Sequence, residues 1–192
     1  MRPTIREARR TDRSAFTLAE MMIVLIVLGV LTSMVARGIS ASGYRGDAAA
    51  RTIRSAMQQA QRIAILRQYD VVISFDSVRG RFRVHEDANN DHVVDPTELV
   101  SWHSLENGLR FGQPANGIDN KPTTGFAAPA TVIESMPSVA FHRDGSTSDA
   151  MVIYVKDGSS GSTTMRAIAV TRSTGRIQWY KGNGTAWKLG GL

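Results

Sequence analysis

One acidic segment of the chain spaces oxygen-bearing groups in a way that could bind a calcium ion. Acids or Asn stand at positions 1, 3, 5, 9 and 12 of the segment, and a backbone carbonyl could serve at position 7. The ligands in this interpretation are Asp87, Asn89, Asp91, Val93, Asp95 and Glu98. His92 stands where such a loop needs Gly, and the flanks predict strands, so the segment is not an EF-hand. The alternative is a solvated acidic connection in which Asp and Asn form turns.

The last part of the chain is basic and could bind nucleic acid. From Gly158 onward there is no acidic residue, and three aromatic residues, Trp179, Tyr180 and Trp187, lie between the cations. The cations are Arg166, Arg172, Arg176, Lys181 and Lys188. Cations with stacking rings can hold DNA through its phosphates and bases. The alternative, which we favour here, is a strand edge with solvated basic side chains and core aromatics.

We find no catalytic constellation in the sequence and expect the protein not to be an enzyme. The four histidines form no His-Glu-x-x-His motif, and the absence of cysteine excludes a thiol nucleophile, a thiolate metal site and any disulfide. The Gly-rich stretch at 158–161 is typical of a turn, and Gly182-Asn183-Gly184 lacks the strand–helix context of a dinucleotide loop. No cofactor is required by this interpretation, and calcium is the one candidate.

A single carboxylate, Glu20, lies near the start of a long apolar run from Phe16 to Val35. A charge inside a bilayer costs about 2.5–3.5 kcal/mol at the centre and less near the interface, so a carboxylate here calls for a function. Twenty helical residues extend about 30 Å, the thickness of a bilayer core. Five arginines against two acids in residues 1–15 account for half of the net charge of +6. This basic head predicts a cytoplasmic amino terminus and a periplasmic remainder.

The run from Phe16 to Met21, Phe-Thr-Leu-Ala-Glu-Met, resembles the class III leader of type IV pilins and type II secretion pseudopilins. The resemblance implies that a prepilin peptidase cleaves between Ala15 and Phe16 and that Phe16 is then N-methylated. It also implies that Glu20 pairs with the amine of Phe16 in a neighbouring subunit during filament assembly. Ala15 departs from the usual Gly before the cut, but it is small enough for the peptidase. A plain signal anchor is the alternative.

The sequence predicts a leader, a helix in two parts and a β-rich domain, which are residues 1–15, 16–36, 37–69 and 70–192. Residues 16–36 are expected to cross the inner membrane, and residues 37–69 to continue as an amphipathic helix. Gly38, Gly43 and Gly46 weaken the stretch 36–47, whereas apolar residues recur at helical spacing from Asp47 to near Gln68.

Alternating segments beyond the helix predict antiparallel strands and hence an α+β fold in which the helix packs on a sheet. The predicted strands are 71–75, 81–84, 99–102, 109–111, 138–142, 151–155, 165–170 and 176–180. Residues 112–137 are rich in Gly, Pro, Ala and Thr, which predicts a long loop.

Two carboxy-terminal segments resemble the GspH/FimT family of minor pseudopilins. Phe141 to Ser146 matches its Phe-x-x-Asp-Gly-Ser segment, and Thr174-Gly175-Arg176 matches its closing turn. The resemblance implies a type IV pilin-like fold and a structural role in the type II secretion pseudopilus, assisting filament initiation and protein secretion. Its partners would be other major and minor pseudopilins or pilins, the prepilin peptidase, the inner membrane and secreted cargo. The alternatives are a minor type IV pilin in pilus biogenesis or DNA uptake, and an anchored periplasmic domain that never assembles.

Overall fold

The computed structural model describes residues 17–38, 41–106, 108–113, 131–157, 165–182 and 186–191, without the side chains of 34–38 and 41–42. These residues form two units, one up to Ser40 and one from Ala41 to Leu192. The leader and Phe16 therefore lie outside the described residues, as do residues 114–130 of the predicted loop.

The first unit contains helix α1, Leu18–Gly38. Thr17 precedes it and accepts a hydrogen bond through Oγ1 from the backbone N–H of Glu20 at 3.2 Å, so Thr17 caps the helix. The hydroxyls of Thr32 and Ser33 donate to the carbonyls of Leu28 and Val30 at 2.7 and 2.8 Å. These bonds satisfy both hydroxyls within the helix.

The second unit begins with helix α2, Ala41–Arg67. The predicted amphipathic pattern is confirmed, because Ile53, Met57, Ala60 and Ala64 are fully buried. The helix ends where the sequence indicated, with Gln68 in the left-handed region at φ 62°. It starts six residues before Asp47 and includes Gly43 and Gly46, so tertiary contacts outweigh the low helix propensity of these glycines.

In the described residues, ten strands follow α2 and form two five-stranded antiparallel sheets. The strands are β1 (Asp70–Asp76), β2 (Arg81–Asp87), β3 (Leu99–Ser104), β4 (Leu109–Phe111), β5 (Val132–Ile133), β6 (Met136–Phe141), β7 (Met151–Asp157), β8 (Arg166–Val170), β9 (Ile177–Gly182) and β10 (Trp187–Leu189). The first sheet has the order β3-β2-β1-β6-β5 and the second has the order β10-β9-β8-β7-β4.

Helix α2 packs against both sheets, contacting β1 and β6 of the first and β7, β8 and β9 of the second. One core cluster joins α2 to the inner faces of both sheets, through residues such as Ile73, Phe141, Ile168 and Trp179. The α+β prediction is therefore confirmed, with two sheets under the helix where the sequence suggested one.

All eight predicted strands are present, but two short strands were missed. The predicted loop 112–137 is wrong at its carboxy-terminal end, since β5 and the start of β6 form a tight hairpin there. Strand β10 was also not predicted from the sequence. Strand β5 has two residues and β10 has three, which gives little alternation to recognise, although β4, also of three residues, was predicted. Pairing with a longer neighbour stabilises both missed strands.

Candidate functional site

Helix α1 presents an apolar surface with one acid. Its large hydrophobic side chains from Leu18 to Leu31 are 48–79% exposed within the chain, and Glu20 lies in the first turn. Ala15 and Phe16, the residues of the predicted cleavage and methylation, lie outside the described residues, so these predictions remain predictions. Within the part of the chain that the structure describes, no helix combines the length and apolar character that crossing a membrane requires.

The acidic loop between β2 and β3 is organised by hydrogen bonds from its own backbone. Asp87 accepts from the N–H groups of Asp91 and His92 at 3.1 and 2.9 Å. His92 has φ 62°, the left-handed conformation that the calcium-loop interpretation requires at this position. Among the described residues, no group of three or more acidic or histidine side chains is arranged to hold a metal. Calcium binding by this loop stays a prediction.

Glu98 closes this loop onto the first sheet. Its carboxylate contacts Nε2 of the fully buried His85 at 2.6 Å and accepts from the N–H groups of Asp95 and Ala88 at 3.1 and 3.0 Å. Burial raises the pKa of Glu98, but the bonds from His85, Asp95 and Ala88 together outweigh it and lower the pKa below its usual value. The ionised carboxylate is therefore the form that holds the loop.

A second set of contacts ties the same loop to β1 and to the turn after β6. Asp70 Oδ2 lies 2.9 Å from His142 Nδ1 and 3.4 Å from His92 Nε2. Asp70 is buried, while both histidines are partly exposed. The loop from Asp87 to Glu98 is thus anchored at its start, its middle and its end.

The five basic residues predicted to contact DNA do not form one surface. Arg166 is fully buried and forms an ion pair with Asp47 of α2, so its inclusion in a DNA-contacting surface was wrong. Arg172 and Arg176 are exposed around the turn between β8 and β9. Lys181 and Lys188 are exposed partners on β9 and β10. Five residues of strand separate Arg176 from Lys181, about 17 Å at 3.3 Å per residue.

The two turns that carry the family resemblance are held together by Gln61 of α2. Its side-chain amide donates to the carbonyls of Gly145 and Thr174 at 2.7 and 3.1 Å. A Cβ on Gly175 would lie 2.3 Å from both Gln61 Nε2 and the Gly145 carbonyl oxygen, so any side chain there would force these two groups to move. Asp144 accepts from the N–H and hydroxyl of Ser146 at 2.9 and 2.6 Å. The motif residues therefore position turns against the helix.

Sequence analysis missed Gln61 and Asp47. Nothing in the sequence marks Gln61, because it is one of several polar residues beside the apolar stripe. Asp47 did offer a signal, since no acid follows it in α2 although Arg51, Arg54, Arg62 and Arg67 do. A lone acid in a basic helix indicates a specific cationic partner.

A groove of about 430 Å³ lies between α2 and the edge strand β3. Its walls include Ala56 and Ile63 from the helix and Val84, Leu99 and His103 from the strands. One edge of β3 has no strand partner among the described residues, because β2 is its only neighbour in the sheet. The groove is therefore open to a contacting chain.

Two family models match this chain. The model for the type II transport protein GspH matches residues 49–175, and the model for the prokaryotic N-terminal methylation motif matches residues 10–36. No curated protein matches the sequence.

Two solved structures of the minor pseudopilin EpsH, from the type II secretion system of Vibrio cholerae, are similar to the chain. Each is 11% identical to it with a TM-score of 0.48. The matches cover 74% and 77% of this chain, and 99% and 97% of the EpsH chains.

The matched residues coincide with the features described above. The GspH match runs from the start of the buried stripe of α2 to Gly175, the glycine of the second clamped turn. The methylation match includes the capping Thr17 and Glu20. Because the GspH model covers more than half of the sequence, the chain belongs to the GspH family and is a pseudopilin of the type II secretion class.

Proposed function

We propose that this protein is a minor, structural subunit of the type II secretion pseudopilus that helps to initiate the filament. The prepilin peptidase removes residues 1–15, Phe16 becomes the methylated amino terminus, and helix α1 holds the subunit in the inner membrane with the domain in the periplasm. The apolar run in the sequence, Phe16 to Val35, extends beyond the residues of α1 whose side chains the structure describes.

The observation that carries this proposal is the exposed apolar surface of α1 with Glu20 in its first turn. Such a surface is unstable in water and is covered either by lipid or by other helices. The small residues Ala19 and Gly29 permit close approach of neighbouring helices, and no atom outside the helix lies within 4 Å of a Cβ at Gly29. In the filament, Glu20 accepts the amine of Phe16 from the adjacent subunit, so each charge neutralises the other.

The domain supplies the contacts with other subunits. The anchored loop from Asp87 to Glu98 and the groove beside β3 are candidate surfaces, since an unpaired strand edge can accept an extended segment of another chain. Placement near the filament tip follows from the family resemblance. A DNA-uptake role finds less support, because the basic residues are divided between two ends of β9 and one of them is buried.

The test compares wild type with Glu20→Ala. It measures the intact mass of each protein and its assembly with other pseudopilins. In cells with active peptidase we expect both wild type and variant to yield a mature chain that starts at methylated Phe16. We expect cross-linking to other pseudopilins and secretion to fall at least tenfold only in the variant, because Glu20 acts after cleavage. Arg172→Gln, which removes an exposed charge of the domain away from α1, is the control.

Two results would contradict the proposal. Retention of residues 1–15 beside active peptidase would show that Ala15 blocks cleavage. Normal assembly of Glu20→Ala would favour an anchored domain that never enters a filament.

A further inference from the structure

One end of the second sheet collects cations that have no ion-pair partner among the described residues. This end, which we call the entry end, lies beside the first turns of α2. Arg166 at the start of β8 donates to the carbonyl of Gly43 at 3.1 Å and pairs with Asp47. Asp157 at the end of β7 pairs with Arg45 at 3.3 Å. These contacts place the entry end where the chain enters the domain.

Two pairs of like charges face each other across strands at the entry end. Lys181 of β9 is in register with Lys188 of β10, and Arg110 of β4 is in register with Lys156 of β7. Directly opposed like charges are unfavourable in a sheet. Lys181, Lys188 and Arg110 are exposed and Lys156 is half-buried, and no ion pair to any of the four is formed within the described residues. Such an arrangement is stabilised by an external anion.

The acids at the entry end do not neutralise these cations. Asp47 and Asp157 are already paired with Arg166 and Arg45, and Glu106 is the remaining exposed acid beside β4. Within the described residues, the four cations without an ion pair therefore exceed the free acid by three charges. The cation pairs lie on both faces of the sheet, because Lys181 and Lys188 share the face of Arg166 while Arg110 and Lys156 occupy the other. An extended anionic surface can contact the cations on both faces of the sheet at the entry end. A small anion would contact the cations on only one face.

The covalent chain brings such a surface within reach. The apolar run ends at Val35 and α2 begins at Ala41, so the six links between them span at most about 22 Å at 3.6 Å per residue. Tyr44 in the first turns of α2 is 68% exposed, and tyrosine is enriched where membrane meets water. When α1 is in the membrane, a connection of this length lets the entry end reach the lipid headgroups.

We propose that the entry end binds anionic phospholipid headgroups and holds the unassembled domain against the membrane surface. This inference rests on the proposed membrane anchoring of α1. Lysines near an anionic bilayer each strengthen binding about fivefold, so Lys181 and Lys188 together change the ratio of docked to detached domain about 30-fold. When the subunit enters the filament, the domain leaves the membrane surface. The entry end then separates from the lipid headgroups.

The test uses the full mature chain in vesicles of phosphatidylcholine, alone or mixed with phosphatidylglycerol. Because the chain has no cysteine, Ala186→Cys gives a single labelling site beside β10 for a fluorophore, and a quencher is attached to lipid headgroups. We expect quenching only with phosphatidylglycerol, suppressed by high salt, and a roughly 30-fold loss of docking in Lys181→Gln/Lys188→Gln. The control Arg172→Gln/Arg176→Gln removes the same charge from the opposite end and should leave quenching unchanged.

The outcomes separate this inference from the proposed function. A chain that fails to float with vesicles of either composition would refute anchoring itself. A chain that floats but shows equal quenching in both lipids, or equal loss in the control variant, would overturn the entry-end proposal alone. Binding of short single-stranded DNA that is lost in Lys181→Gln/Lys188→Gln, without lipid-dependent quenching, would assign the lysine pair to nucleic acid and also overturn it.

Discussion

Arg166 illustrates how burial changes the role of a charged residue. In the sequence it is one of five cations in an acid-free stretch, whereas in the fold it is fully enclosed and bonded to Asp47 and two backbone carbonyls. A buried guanidinium is tolerated only when its donors are satisfied. The pair connects α2 to β8, so it orients the helix on the second sheet.

We expect Asp47→Ala to lower the free energy of unfolding by about 3 kcal/mol, because it leaves a buried charge without its counterion. The Asp47 side chain is itself 26% exposed, so its removal opens a path for water to Arg166, and this keeps the loss moderate. Denaturation of the full chain in detergent measures the effect. The double variant Asp47→Ala/Arg166→Met should recover most of the stability, and a double variant as unstable as the single one would contradict the explanation.

The hydrogen bonds of Glu98 predict how the stability of the protein depends on pH. Its pKa is lowered in the folded state, so its bonds stabilise the protein above the ordinary glutamate pKa of about 4.3, and this stabilisation is lost as the pH falls through the lower folded value. Glu98→Gln should cost about 1–3 kcal/mol at pH 7. The difference from wild type should shrink below about pH 4. Urea denaturation at several pH values measures it, and a difference that stays constant down to pH 3 would argue against the role of the ionised carboxylate.

At the scale of elements, α2 organises the domain by contacting both sheets and two turns. Its apolar stripe covers the shared core, and Gln61 clamps the turns at Gly145 and Gly175. The turns follow β6 and β8, which belong to different sheets. One polar side chain of the helix therefore fixes how the two sheets meet at this end.

Gly175→Ala should destabilise the protein by about 2–4 kcal/mol, since φ is 58° and a Cβ would overlap Gln61 and the Gly145 carbonyl. Gly108→Ala is the matched control, because Gly108 has φ 91° but its Cβ would meet only ordinary contacts at 3.8 Å and beyond. The control should lose about 1–2 kcal/mol. Thermal and urea unfolding of both variants compare the two losses, and equal losses would show that the clamp contributes nothing.

The whole molecule consists of an apolar amino-terminal unit and a domain with an uneven charge distribution. Acidic residues gather in the loop from Asp87 to Glu98, near the carboxy-terminal end of α2, while cations without an ion pair in the described part of the chain gather at the entry end. The membrane-docking experiment therefore tests a property of the entire chain, because docking needs both the anchor and the charged end. The same separation of charge leaves the acidic loop available to other subunits.

The amino-acid sequence by itself determined the features that depend on neighbours along the chain. Periodicity marked α2, alternation and turn residues marked eight of the strands, and the run from Phe16 to Met21 with the apolar residues after it identified the methylation motif, because these signals are local. Tertiary structure alone decided that the strands divide into two sheets, that β5 and β10 form, that Arg166 is buried and that Gln61 clamps two turns. Each of these depends on contacts between residues far apart in sequence, and such contacts leave no local pattern to be recognised.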